Sequence, residues 1–151
     1  MDQHGVAQQV LLEHETLKSV TAALRMTIGW SYQGPDLSRN LVSLRFVGRS
    51  YMRHFQHLIA LKEDGGYMAA VMESRPELSD VVAALHAEHS KLRQSLSRIL
   101  ARLGRVAPTN RATFAVIVAD LSTLLDQIDA HNSKECDLLQ EALLRDEGGE
   151  G

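Results

Sequence analysis

The chain has very little of several residue types, and each shortage excludes something. A single cysteine, Cys136, stands among 151 residues, which rules out an internal disulfide framework and fits a reducing compartment. No window approaches the roughly 18 uncharged apolar residues that a membrane span needs, so no membrane partner is expected. The opening residues MDQHGVAQQV lack a charged segment followed by an apolar run, so no secretory leader is expected and the cytoplasm is the default compartment. A formal net charge of −3 leaves no basic footprint for nucleic acid. There is no Gly-rich phosphate loop, no dinucleotide fingerprint and no Ser/His/Asp or Cys/His nucleophile arrangement. Strand signals are nearly absent too: Val116-Ile117-Val118 is the best by composition, yet it lies inside a longer helical period.

What remains is an ordinary globular balance, 44% hydrophobic and 23% charged. One domain over residues 1–151 is expected, with its core within about residues 5–144 and a fraying acidic, glycine-rich tail, RDEGGEG. The three prolines act as punctuation, in Gly34-Pro35-Asp36, Arg75-Pro76-Glu77 and Ala107-Pro108-Thr109, assisted by Gly65-Gly66 and Gly104. They divide the chain into helices over about residues 5–31, 36–63, 76–103 and 109–144. Asp36 and either Thr109 or Asn110 are suitable N-caps, and Tyr67 to Ser74 suits a short extra helix. Trp30, Tyr32 and the surrounding GWSYQGP read as a packed corner between the first two helices.

Steps of three and four residues trace the buried stripes. The first helix gives Val10, His14, Leu17, Thr21, Leu24, Ile28. The third gives Val82, Leu85, His89, Leu92, Leu96, Ile99, Leu103, and the fourth Ile117, Leu121, Leu124, Ile128, His131, Glu135, Leu138. Long stripes with short connections predict an all-α fold, an antiparallel up-down-up-down four-helix bundle. In the second helix two stripes compete. One runs Leu44, Val47, Tyr51, His54, Leu58, Leu61; the other runs Val47, Ser50, His54, His57, Leu61, Asp64. Either turns at least one histidine of RHFQH inward.

Histidine therefore interrupts seams that should be apolar. An acid-histidine pair recurs in LLEHETL and LHAEHSKL, and His57 and His131 follow His14 and His89 at nearly equal distances. The chain thus reads as two helical hairpins with one histidine per helix, able to converge in the core. Imidazole suits iron, zinc, copper or manganese, and a carboxylate adds a hard oxygen that favours iron or manganese. His131 and Glu135 are about 40° and about 6 Å apart on one helix, so both can reach one ion. Burying these groups without an ion would need separate hydrogen-bond partners for each. His86 lies about 60° around the helix from His89.

The single histidine of the first helix, EHxxL on the third and HxxxE on the fourth resemble the hemerythrin-like, HHE cation-binding domains. The run KEDGGYMAAVMESRPEL, residues 62–78, is similar to the connection between second and third helices in many bacterial members. The resemblance implies a four-helix bundle with a non-haem di-iron centre that binds oxygen or a small anion, handles iron, or senses oxygen or redox state. It implies His14, His89, His131 and Glu135 as ligands, Glu135 bridging two metals, and His57 as the second-helix ligand, with His54 its rival. The family's second HxxxE is missing, because Leu61 stands where its glutamate would be; Glu63 or Asp64 would serve only if the helix unwound at Lys62. Three outcomes follow: a di-iron site completed by Glu63 or water, a mononuclear site for iron or another divalent metal, or a decayed site in a bundle that serves as an interaction module. The carboxylate-poor inventory argues against a di-iron enzyme.

Overall fold

The computed structural model describes residues 3–30, 37–63 and 67–144. Among them it is all helical: α1 (Gln3–Trp30), α2 (Ser38–Glu63), α3 (Tyr67–Ser74), α4 (Ser79–Arg105) and α5 (Arg111–Leu139). Four of these are long, and together they are consistent with a helical bundle. A 3-10 turn over Pro76–Leu78 leads into α4, and a π turn over Gln140–Leu144 follows α5. Asp36, Tyr32, Asp64 and the tail 145–151 lie outside the described residues.

The ends of the helices follow from local chemistry. Asn110 caps α5, its side-chain oxygen accepting from the Thr113 backbone N–H at 3.1 Å. Asn110→Ala is expected to cost about 1 kcal/mol of stability, measured by denaturant unfolding, because it strands an N–H of the first turn. At the C-terminus of α4, Arg45 of α2 donates to the Leu103 carbonyl at 2.9 Å and the Val106 carbonyl at 3.1 Å. That guanidinium satisfies carbonyls the helix cannot satisfy itself and places positive charge at the negative end of its dipole.

Packing joins α1 to α2 and α5, and α4 to α2 and α5, so the long helices form a closed ring around one core. Leu24, Leu44, Phe55, Leu96, Leu121 and Ile128 are fully buried at its centre, each stabilising the fold by about 1.5–3 kcal/mol. The stripes of α1 and α4 are buried throughout, and that of α5 is buried except for Leu138, which is half-buried. Thr21 and Thr27 sit on the α1 seam with their hydroxyls donating to the Leu17 and Ala23 carbonyls, at 2.7 and 2.9 Å. Across the surface Arg25 reaches from α1 to Asp126 and Asp129 of α5 at 2.8 and 2.9 Å.

The second helix follows the first expected stripe at Leu44, Tyr51 and Leu58 and departs from it elsewhere, burying Gly48, Phe55 and Lys62 where Val47, His54 and Leu61 are only half-buried. It buries Leu41, Leu44, Gly48, Tyr51, Phe55, Leu58, Ile59 and Lys62. Gly48 lets α4 come close: a Cβ there would stand 2.9 Å from Leu100 Cδ2. The expectation that a histidine of RHFQH points into the core is corrected: His54 is half-buried and the His57 side chain is 58% exposed. Phe55 and Leu58 take the inward positions between and beside them. Trp30 is also corrected, being 63% exposed rather than packed into a corner.

Candidate metal centre

The polar interruptions of three helices meet inside the ring. His14 from α1, His89 from α4, and His131 with Glu135 from α5 are all buried, at 3%, 1%, 0% and 1% exposure. His89, His131 and Glu135 form a tight group, with one potential ligand atom from each lying within 4.8 Å of the others. His89 Nε2 lies 2.7 Å from Glu135 Oε1, and His131 Nε2 lies 2.5 Å from the same oxygen. The two imidazoles meet edge to face, with ring centroids 4.7 Å apart.

The opposite edge of each ring faces an outer carboxylate. His89 Nδ1 is 3.3 Å from Glu63 Oε1, and His131 Nδ1 is 3.0 Å from Glu88 Oε1. Glu88 is the acid that precedes His89 in the repeated Glu-His pair, so one α4 dipeptide supplies both a cluster histidine and the carboxylate behind another. Glu63 extends from the last turn of α2 without any unwinding at Lys62. Its carboxylate also lies 3.0 Å from Nδ1 of His86, whose side chain is 60% exposed and outside the buried group. His57 lies 3.8 Å from Glu13 at the surface, away from the cluster.

A residue the sequence reading passed over completes the layer. Lys62 is 0% exposed, and its ammonium donates to Glu135 Oε1 at 2.8 Å. The one available signal was its position: Leu41, Leu44, Gly48, Tyr51, Phe55, Leu58 and Lys62 are spaced by threes and fours. Burial works against the charge of Glu135, yet the His131 and His89 rings and the Lys62 ammonium hold its carboxyl far below the usual carboxylate range. Burial pushes the Lys62 ammonium the other way, below the usual lysine range, with Glu135 opposing.

His14 stands outside the tight group but close enough for its charge state to be coupled to Lys62, Glu135, His131 and His89. Its Nε2 is buried without a hydrogen-bond partner. Burial, reinforced by the Lys62 charge, lowers its pKa from 6.5 to about 3. Between these values the unfolded chain carries a proton that the folded chain does not. The His14 contribution to the stability of the metal-free protein is therefore full above pH 6.5 and falls as the solution is acidified toward pH 3, by at most about 1.4 kcal/mol per pH unit. Denaturant unfolding of His14→Leu in chelator should show a flatter stability profile between about pH 6.5 and 4.5 than the parent chain.

A cleft of about 520 Å3 between α1 and α5 borders the centre on its His14 side; Thr21, Arg25, Asn132 and Cys136 also line it. Burial raises the Cys136 thiol above the usual range, away from the depressed value of a reactive thiolate.

Chemically, two imidazole nitrogens and one carboxylate oxygen fit a single divalent ion, with the partnerless Nε2 of His14 buried outside that group. They do not fit the di-iron set that the hemerythrin resemblance implies. Among the described residues α2 brings Lys62 to the buried layer where a histidine and a second bridging carboxylate would be needed, and Leu61 is half-buried. No family model, characterised protein or solved structure matches the chain. Among the described residues no helix is long and apolar enough to cross a membrane.

Proposed function

We propose that this protein is a metal-binding four-helix bundle of hemerythrin-like design. The helices run up and down in antiparallel order, and one divalent transition-metal ion, iron first among them, is held at His89, His131 and Glu135 with His14 alongside. The observation that carries this reading is the double-sided arrangement of the two histidines. Both Nε2 atoms converge on Glu135 Oε1, while both Nδ1 atoms have a carboxylate behind them, Glu63 and Glu88. At His89 the Glu63 carboxylate holds a proton on Nδ1 and leaves the Nε2 lone pair for an ion, which is the usual support of a histidine ligand; Glu88 stands in the same place behind His131, 3.0 Å away but not aligned for a hydrogen bond. Both nitrogens of buried His131 lack an aligned hydrogen-bond partner despite those short approaches, and an ion would relieve that cost.

In this reading the centre serves to bind or sense iron, oxygen or redox state. The α1/α5 cleft beside His14 gives a small molecule or anion a route toward the ion. Elemental analysis of protein purified from its own host, followed by cobalt titration of the stripped protein, tests the reading. About one ion per chain is expected, with the thermal midpoint raised by metal and lowered by chelator. A second reading, a metal-free interaction module, is favoured by the Lys62–Glu135 pair, which already neutralises the buried carboxylate. Thermal stability indifferent to both chelator and added ferrous iron would establish that second reading instead.

A further inference from the structure

We propose that Lys62 is a built-in cation standing where a second metal ion would bind, and that it holds the centre to a single ion. This rests on the metal-binding reading above and adds what determines its stoichiometry. In a two-metal bundle site, carboxylates from facing helices neutralise the two ions and bridge them. Here, among the described residues, only one carboxylate, Glu135, lies in the tight cluster, and Lys62 Nζ is 2.8 Å from its Oε1 with both side chains 1% exposed.

The geometry leaves little choice. A metal ion bound to that carboxylate would sit about 2.0–2.2 Å from an oxygen. A second ion sharing the same carboxylate would approach the ammonium closely, in surroundings where water screens little of the repulsion. The candidates that could offset the extra charge from α2 are elsewhere. Glu63 is engaged with the outer edges of His86 and His89, His57 is at the surface, and Leu61 has no donor atom. The α2 contribution to the buried layer is thus one positive charge in place of a ligand. The α5 half keeps His131 and Glu135 four residues apart, so the two hairpins present opposite charges to one centre.

Cobalt binding to the full-length stripped protein, followed by calorimetry and by the visible absorption bands of bound cobalt, tests the proposal. The parent chain should take one ion. Lys62→Gln, which keeps a hydrogen-bond donor for Glu135 and removes the charge, should bind that ion at least about tenfold more tightly, because one like charge no longer opposes it. Lys62→Glu, which exchanges the cation for a second carboxylate, should take two ions. Circular dichroism checks folding, and if Lys62→Glu fails to fold, the affinity gain of Lys62→Gln decides. The proposal is overturned if the parent chain takes two ions, or if Lys62→Gln binds no more tightly than the parent. It is also overturned if Lys62→Gln binds an ion and the parent binds none, since Lys62 would then exclude metal altogether. If neither chain binds cobalt, zinc or ferrous iron, the metal-binding reading itself fails, an outcome distinct from the other three.

Discussion

Glu135→Ala should destabilise the metal-free protein by about 3–5 kcal/mol, the usual cost of removing one partner from a buried ion pair. The Lys62 ammonium would be left inside the ring of helices without the carboxylate it meets at 2.8 Å, and His89 Nε2 would lose its polar neighbour at 2.7 Å. Since a domain of this kind is stable by only about 5–15 kcal/mol, such a loss brings it near unfolding. Most of the cost belongs to the stranded charge, so it should be recoverable. Lys62→Met combined with Glu135→Leu, similar in volume and free of charge, should return to within about 1–2 kcal/mol of the parent in chelator. Urea unfolding of the parent, Lys62→Met, Glu135→Leu and the double variant measures this cycle, with Glu135→Ala measured alongside. A Glu135→Ala loss below about 1 kcal/mol would mean the pair is solvated in solution and is not holding the layer together.

His131→Ala should reduce metal content from about one ion per chain to near zero at micromolar ion, a loss of at least about 100-fold in affinity. Replacing the support behind a ligand already costs about 10–100-fold, and His131 is placed to be a ligand itself. His89→Ala should behave alike, while His57→Ala should leave metal content unchanged, because His57 is exposed beside Glu13. Equal metal content in all three variants would remove the centre from the buried layer and take the functional assignment with it.

The contrast between His57 and Lys62 marks where the sequence was legible and where it was not. In α1, α4 and α5 the inward face is written mostly in leucine, isoleucine and valine, so His14, His89, His131 and Glu135 stand out as exceptions on an apolar seam. Their burial could be anticipated from spacing alone. In α2 two members of the inward stripe carry no hydrophobic signal. Gly48 is there because a Cβ would press on the Leu100 side chain of α4, and Lys62 because a carboxylate from another helix waits for it. Both reasons belong to the partner helix. With those positions silent, half of the first stripe, Val47, His54 and Leu61, falls one residue short of the buried Gly48, Phe55 and Lys62, while Leu44, Tyr51 and Leu58 lie on its true course. Glu63 was misjudged for a related reason: a ligand must reach the ion, whereas a supporting carboxylate only has to reach the far edge of His89. Among the described residues nothing in the packing explains the exposure of Trp30.

The position of Cys136 in the wall of the α1/α5 cleft has a practical consequence. It is the chain's single thiol and follows Glu135 directly in sequence. A fluorophore or nitroxide coupled there needs no cysteine-free background, and it would report from beside His14 on whatever enters the cleft. The protein carries its own labelling handle next to the layer whose occupancy is in question.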